Sequence, residues 1–176
     1  MGEVWNTSIP PINEDQVGHH CFGCGGLNPI GLRLRFRPLD DGRVWAEFVP
    51  RREHEGYLGM VHGGITATLL DEAMNWAVTA AGDIAVTARM SVVYRKPLEV
   101  GRAVRVAATV VGRRSRAIEA RAEVRGIDSG EVLAEAEGRF VRVSAAQAAA
   151  WRAAYGAEHD DSTFAAAARR TASPDR

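Results

Sequence analysis

The sequence predicts an α+β fold in which an antiparallel sheet of about six strands wraps one long central helix, and three observations carry that reading. From Val61 to Ala81 the chain contains no proline, is rich in alanine, leucine and methionine, and after His62 carries only Asp71 and Glu72 as charges. Such a stretch reads as one long helix, apolar on nearly every side. From Ile84 to Val143 apolar residues recur at every second position, the period of a strand. Ahead of the helix, two shorter alternating stretches flank the turn sequence Asp40-Asp41-Gly42. A helix without a full polar face has to be enclosed, and a sheet with one apolar face can enclose it.

The elements follow in chain order. Residues 1–18, with Pro10-Pro11 and no periodicity, read as an extended arm. Leu32, Leu34 and Phe36 alternate with arginines, and Val44, Ala46 and Phe48 repeat the pattern after the turn, so these stretches read as a hairpin. Residues 50–61 form a loop into the helix, which stops at Gly82-Asp83. Ile84, Val86, Ala88, Met90, Val92 and Tyr94 then share one face of a long strand ended by Pro97. Three further strands are expected, Ala103 to Val111, Arg116 to Arg125 and Glu131 to Val143. The middle one alternates strictly, so one of its faces is buried and the other wet. An alanine-rich helix follows over 144–156, capped by Ser144 and stopped by Gly156, with Gln147, Trp151 and Tyr155 on one docking side. Residues 157–176 read as a disordered tail. The domain proper is therefore 19–143.

Size and charge narrow the function. At 176 residues, 46% of them hydrophobic, the chain suffices for one core and is short for two domains. Lysine plus arginine (22) equals aspartate plus glutamate (22), so no excess positive charge draws phosphate backbones or anionic lipid. Neither nucleic acid nor a membrane is an expected partner. Glu3 and Asn6 stand where a signal peptide has its apolar core, and no apolar run is long enough to span a bilayer, so a cytoplasmic location is expected. Two cysteines three apart, Cys21 and Cys24, are no disulfide framework. With His19 and His20 beside them they offer four metal-ligand types, but these crowd into six residues without a second ligand pair later in the chain. Two buried thiols in a glycine-rich turn are expected there, with no metal and no cofactor.

Val61-His62-Gly63-Gly64-Ile65 followed by Leu69-Leu70-Asp71-Glu72-Ala73 resembles the signature of PaaI-like acyl-coenzyme A thioesterases of the hotdog fold. Cys21-Phe22-Gly23-Cys24-Gly25, Asn28-Pro29-Ile30-Gly31-Leu32, His54-Glu55-Gly56-Tyr57, Val86-Thr87-Ala88-Arg89 and Tyr94-Arg95-Lys96-Pro97 resemble the branch containing the thioesterase-superfamily-member proteins. The resemblance covers about residues 20–143. It implies hydrolysis of an acyl-coenzyme A to a free acid and coenzyme A. It also implies a role for Thr87, sixteen residues past Asp71, where that branch carries a threonine that orients water or substrate. The alternation of the strand sets Thr87 with Arg89 and Ser91, away from Met90, which fits an ordinary strand threonine instead. Many PaaI-like enzymes carry an asparagine six residues before the motif histidine. Gly56 stands there in this chain, so that duty falls to another group, such as His54, or is absent.

The residues support the same chemistry on their own. The Gly63 N–H is a first-turn donor at the positive end of the helix dipole, suited to an oxygen gaining negative charge, and Gly63 and Gly64 let a thioester come close. Asp71, costly to bury unpaired, is the expected general base for water, with a covalent anhydride route as the lesser alternative. Glu72 points about 100° away round the helix and reads as a surface or salt-bridging residue. His62 either fixes the turn, lies near the carbonyl, or simply enters the helix. Arg95, Lys96, Arg113, Arg114 and Arg116 are candidates for coenzyme A phosphates, and each fits a solvated strand-end charge equally.

Gly63 and Asp71 lie about 12 Å apart along one helix, too far to serve one carbonyl, so a homodimer with two shared sites is expected, alone or doubled into a dimer of dimers. The same fold also serves proteins that bind acyl-coenzyme A without turnover, and Asp71 argues against that alternative. A hydratase would need an aspartate and histidine pair after the helix that this sequence lacks.

Overall fold

The central helix α1 runs from Gly63 to Ala80, with both ends fixed by their flanking residues. A computed structural model describes residues 5–14, 18–39 and 41–155. His62 is the N-cap, and its Nδ1 accepts the Gly64 N–H at 2.9 Å. At the other end Gly82 lies at φ 95, a conformation open to glycine, while its N–H reaches Thr79 O and that of Asp83 reaches Val78 O. Leu69, Leu70, Ala73, Met74, Ala77 and Val78 are almost completely buried. Each large aliphatic side chain so buried contributes about 1.5–3 kcal/mol.

The sheet that encloses α1 consists of β1 (Arg37–Pro38), β2 (Val44–Phe48), β5 (Ala85–Tyr94), β6 (Val104–Arg114), β7 (Ala117–Gly126) and β8 (Val132–Arg142). Its order is β1-β2-β6-β7-β8-β5, antiparallel throughout. A separate two-stranded ribbon, β3 (Glu55–Tyr57) with β4 (Met60–Val61), leads into the helix. The strict alternation of β7 is realised: Ile118, Ala120, Ala122 and Val124 are buried, while Glu119 and Arg121 are exposed. This is the α+β architecture expected from the sequence. Among the described residues, no helix is long and apolar enough to cross a membrane.

Three local expectations are corrected. The alternating stretch 32–37 forms a strand only at its end. Arg33 lies at φ 56, which breaks an extended run, and Leu32 and Leu34 give their N–H groups to Phe22 O and Gly23 O. Leu32, Leu34 and Phe36 are still buried as their alternation predicts, but the first two take their backbone partners from the cysteine loop. Second, the register of β5 on β8 slips between Thr87 and Arg89, leaving Ala88 as an extra residue. Thr87 pairs with Phe140, Met90 with Gly138 and Tyr94 with Ala134, so Thr87 shares the helix-facing side with Met90 and Tyr94. The uninterrupted parity read from the sequence is wrong past that bulge.

Third, the helix α2 (Ala145–Tyr155) docks through Ala148 and Trp151, the latter against Ile84, while Gln147 is exposed. Ser144 Oγ accepts the Gln147 N–H at 3.2 Å, the expected cap. The expected stop at Gly156 and the tail 157–176 lie outside the described residues, as do Asp40 of the turn and 1–4 and 15–17 of the arm. Within the arm, Asn13 is fully buried, donating to Leu34 O and accepting the Phe36 N–H.

Candidate active site

Gly63 opens the helix at an exposed position, with its N–H in the first turn, where the helix itself supplies no acceptor. It faces Tyr94, whose hydroxyl donates to Gly63 O at 3.0 Å. Tyr94 closes β5, so the end of that strand and the first turn of the helix are held together here. His62 accepts the Gly64 N–H on Nδ1 and so fixes the turn, with the Gly63 N–H beside it at the start of the helix.

Gly56, the position at which the sequence departs from the resemblance, has no room for a side chain. A Cβ at this position would stand 3.0 Å from His62 Cα and 3.3 Å from His62 Cδ2, so the ribbon backbone seats directly on the capping histidine. His54 does not take up the vacant duty at the surface. It is 4% exposed, packs on Phe48 with ring centroids 5.1 Å apart, and accepts the Arg51 N–H on Nδ1. Its carbonyl receives the His62 N–H at 2.8 Å, so it supports the cap from behind. Burial holds the His54 imidazole below its usual pKa, with Arg51 adding to that effect.

Two turns further along, Asp71 is half-buried and accepts the Thr87 hydroxyl at 2.7 Å. The β5 bulge makes this bond possible by turning Thr87 toward α1. Asp71 and Thr87 are thus brought together in one chain; Gly63 and Asp71 are not, being separated by about 12 Å of helical rise. The basic candidates split as well. Arg95 and Lys96 lie beyond Tyr94 at the helix N-terminal end, paired with Glu135 and Glu131. Arg113 is at the opposite end, donating to Ala81 O and facing Asp83 at 3.7 Å, and Arg116 donates to Arg142 O. Arg114 ends β6 at that same end, exposed.

Glu72 overturns its surface reading. Its carboxylate turns inward, accepts the Trp76 indole N–H at 3.0 Å and lies 3.8 Å from Cys21 Sγ. Burial pushes its carboxyl up to about 7. A hydrogen bond from Cys24 draws the Cys21 thiol down to about 5, and the same bond, with burial, pushes Cys24 up. The Glu72 and Trp76 spacing of i, i+4 is the available sequence signal for an inward acid.

An acid held by a hydroxyl, and an exposed helix N-terminus framed by glycine, can activate water and stabilise an oxyanion. The sequence model of the thioesterase superfamily matches residues 58–133, a span that contains both. Human acyl-coenzyme A thioesterase 13 is 33% identical over 72 residues, covering 40% of this chain and 51% of that protein. The chain thus spans about half the length of the curated relatives it matches. The crystal structure of a thioesterase superfamily protein superposes with a TM-score of 0.66 at 28% identity, covering 69% of this chain and 63% of that one. A mutant of the phenylacetic acid degradation protein PaaI from Thermus thermophilus superposes with a TM-score of 0.57 at 28% identity, covering 64% of this chain and 95% of that one. With its helix wrapped by six antiparallel strands and its motif at the helix start, the chain has the hotdog fold, and its residues 58–133 carry the sequence pattern of the thioesterase superfamily.

Proposed function

We propose that this protein hydrolyses an acyl-coenzyme A thioester to a free acid and coenzyme A. The bond between Thr87 and Asp71 carries the reading, because it fixes an acid on an otherwise apolar helix by a strand residue from the enclosing sheet. Asp71 takes a proton from water as the oxygen attacks the thioester carbonyl carbon. The carbonyl oxygen becomes an oxyanion on the Gly63 N–H of a second copy of the chain. When the intermediate collapses, the carbon–sulfur bond breaks and the coenzyme A thiolate leaves, receiving the proton that Asp71 took.

The second copy is part of the proposal. Antiparallel helices related by a two-fold axis bring Asp71 of one chain opposite Gly63 of the other. The β5 strand supports this pairing: it is an edge of the sheet, and Val86, Val93 and Tyr94 on it are exposed at 46%, 43% and 54%. An apolar open edge favours a partner. The same symmetry carries Arg113, Arg114 and Arg116 of one copy toward the N-terminal end of the other helix, where Arg95 and Lys96 lie, gathering basic groups for coenzyme A phosphates. Gly64 lies beside the thioester in this arrangement. Free cysteines at 21 and 24 fit a reducing, cytoplasmic setting.

Thiol release from a panel of short, long and aromatic acyl-coenzyme A substrates tests the proposal. Steady turnover on at least one class is expected. Saturable binding of acyl-coenzyme A with no thiol release from any substrate would instead establish a binding protein.

A further inference from the structure

Cys21, Cys24 and Glu72 converge from two parts of the chain some fifty residues apart. One ligand atom from each lies within 4.8 Å of the others. A tetrahedral zinc with bonds of about 2.3 Å to sulfur and 2.0–2.2 Å to oxygen separates its ligand atoms by roughly 3.5–4 Å. Cys21 Sγ stands at 3.8 and 3.9 Å from the two Glu72 oxygens, in that range. We propose that Cys21, Cys24 and Glu72 form a zinc site that fastens the loop 19–35 to the central helix.

The surroundings are built for such a site. Cys21 and Cys24 stand on a tight turn in which the Gly25 N–H reaches Cys21 O at 2.9 Å. Both neighbouring glycines make close approaches. A Cβ on Gly25 would come 2.4 Å from His19 O, and one on Gly23 would come 2.4 Å from the Glu72 carboxylate itself. The loop therefore lies directly against the acid. The indole of Trp76 orients the carboxylate through Oε1, the outer support that metal-binding carboxylates characteristically have. Cys21, Cys24 and Glu72 face one another, and the Cys21 N–H donates to His19 Nδ1 at 3.2 Å beside them. Two sulfurs with one carboxylate select zinc over magnesium or calcium.

Sequence spacing alone argues against metal because it shows only ligands crowded within six residues; Glu72 is the ligand that folding adds. Cys21 is half-buried, so solvent can reach an ion bound there and complete its coordination. The consequence is mechanical. Cys24 O accepts from Arg35 at 2.7 Å and the loop backbone pairs with Leu32 and Leu34, so a metal at Glu72 would tie this whole segment to α1 beside Asp71.

The test uses the untagged full-length chain grown with zinc and purified without chelator. Elemental analysis is expected to find about one zinc per chain. Replacing zinc by cobalt should give sulfur-to-metal charge-transfer absorption in the near ultraviolet, lost in Cys21→Ser with Cys24→Ser. Glu72→Gln should weaken zinc binding at least about ten-fold. Should the serine variants misfold, alkylation of the wild-type thiols reads the same site, because bound zinc should slow it. Absence of zinc after reconstitution, with thiols alkylated equally fast in its presence, overturns the proposal. A Cys21–Cys24 disulfide in freshly purified protein, with no metal, overturns it too. None of these readouts depends on thioester hydrolysis.

Discussion

The Thr87 hydroxyl donates to Asp71 at 2.7 Å because β5 carries one extra residue at Ala88, which turns Thr87 toward the helix. A hydrogen bond to a charged group is worth about 1.5–3 kcal/mol, so losing it matters if Asp71 works as an ion. Thr87→Val keeps the strand shape and removes the donor. It should lower kcat by about ten-fold or more while KM moves little, and Thr87→Ser should recover most of the loss. Equal activity of the valine and wild-type proteins would make Thr87 an ordinary strand residue.

Gly56 supports the His62 cap by leaving no room for a side chain. Gly56→Ala would place a Cβ 3.0 Å from His62 Cα, forcing the cap to move. Loss of the bond from the Gly64 N–H should lower stability by about 1 kcal/mol, measured by urea denaturation, with a fall in turnover. If alanine leaves both unchanged, the ribbon does not position the cap.

How much of this is legible in the sequence follows from what each residue's neighbours are. The helix over Gly63–Ala80 and the alternation of β7 are readable because their periods depend on local sequence and one uniform environment. The bulge at Ala88 is not, since a two-residue parity has no marker for an inserted residue and Ala88 is neither glycine nor proline. Alternation reads Leu32 and Leu34 correctly as buried and wrongly as hairpin, because it reports which side chains face the core and not which backbone pairs with which. Asp71 stands out through its apolar helix. Glu72 does not, because rotation round a helix axis locates a face, while the Cys21–Cys24 loop that covers that face arrives from fifty residues away.

His54 gives the protein an acid limit. Its folded pKa is lowered by burial, and its Nδ1 already accepts the Arg51 N–H, so protonation at that atom would break the bond. A base with a depressed folded pKa contributes stability that is present above its unfolded value, about 6.5, and lost as pH falls below it. Unfolding free energy should therefore decline from about pH 6.5 downward, and His54→Phe should flatten that part of the profile. An unchanged slope in the variant would assign the acid limit to other groups.

The shared site predicts rescue between two inactive proteins. Gly63→Pro deletes the N–H, and the position suits proline: it is the first helical residue, His62 is extended at ψ 135, and a Cβ meets only ordinary contact with Tyr94 at 3.6 Å. Refolded together with Asp71→Asn, about half the dimers should be mixed, each with one intact site of two, restoring about a quarter of wild-type activity. A mixture that stays inactive, with mixed dimers demonstrated and Gly63→Pro folded normally, contradicts a site shared between chains.

The most direct measurement is single-turnover thiol release by Asp71→Asn on the best acyl-coenzyme A substrate. The amide matches the carboxylate in shape but cannot take a proton from water. The rate of the chemical step should drop by roughly two or more powers of ten, with substrate binding and the circular dichroism spectrum preserved. A variant that releases thiol at close to the wild-type rate would remove Asp71 from the reaction and leave the proposed hydrolysis without its base.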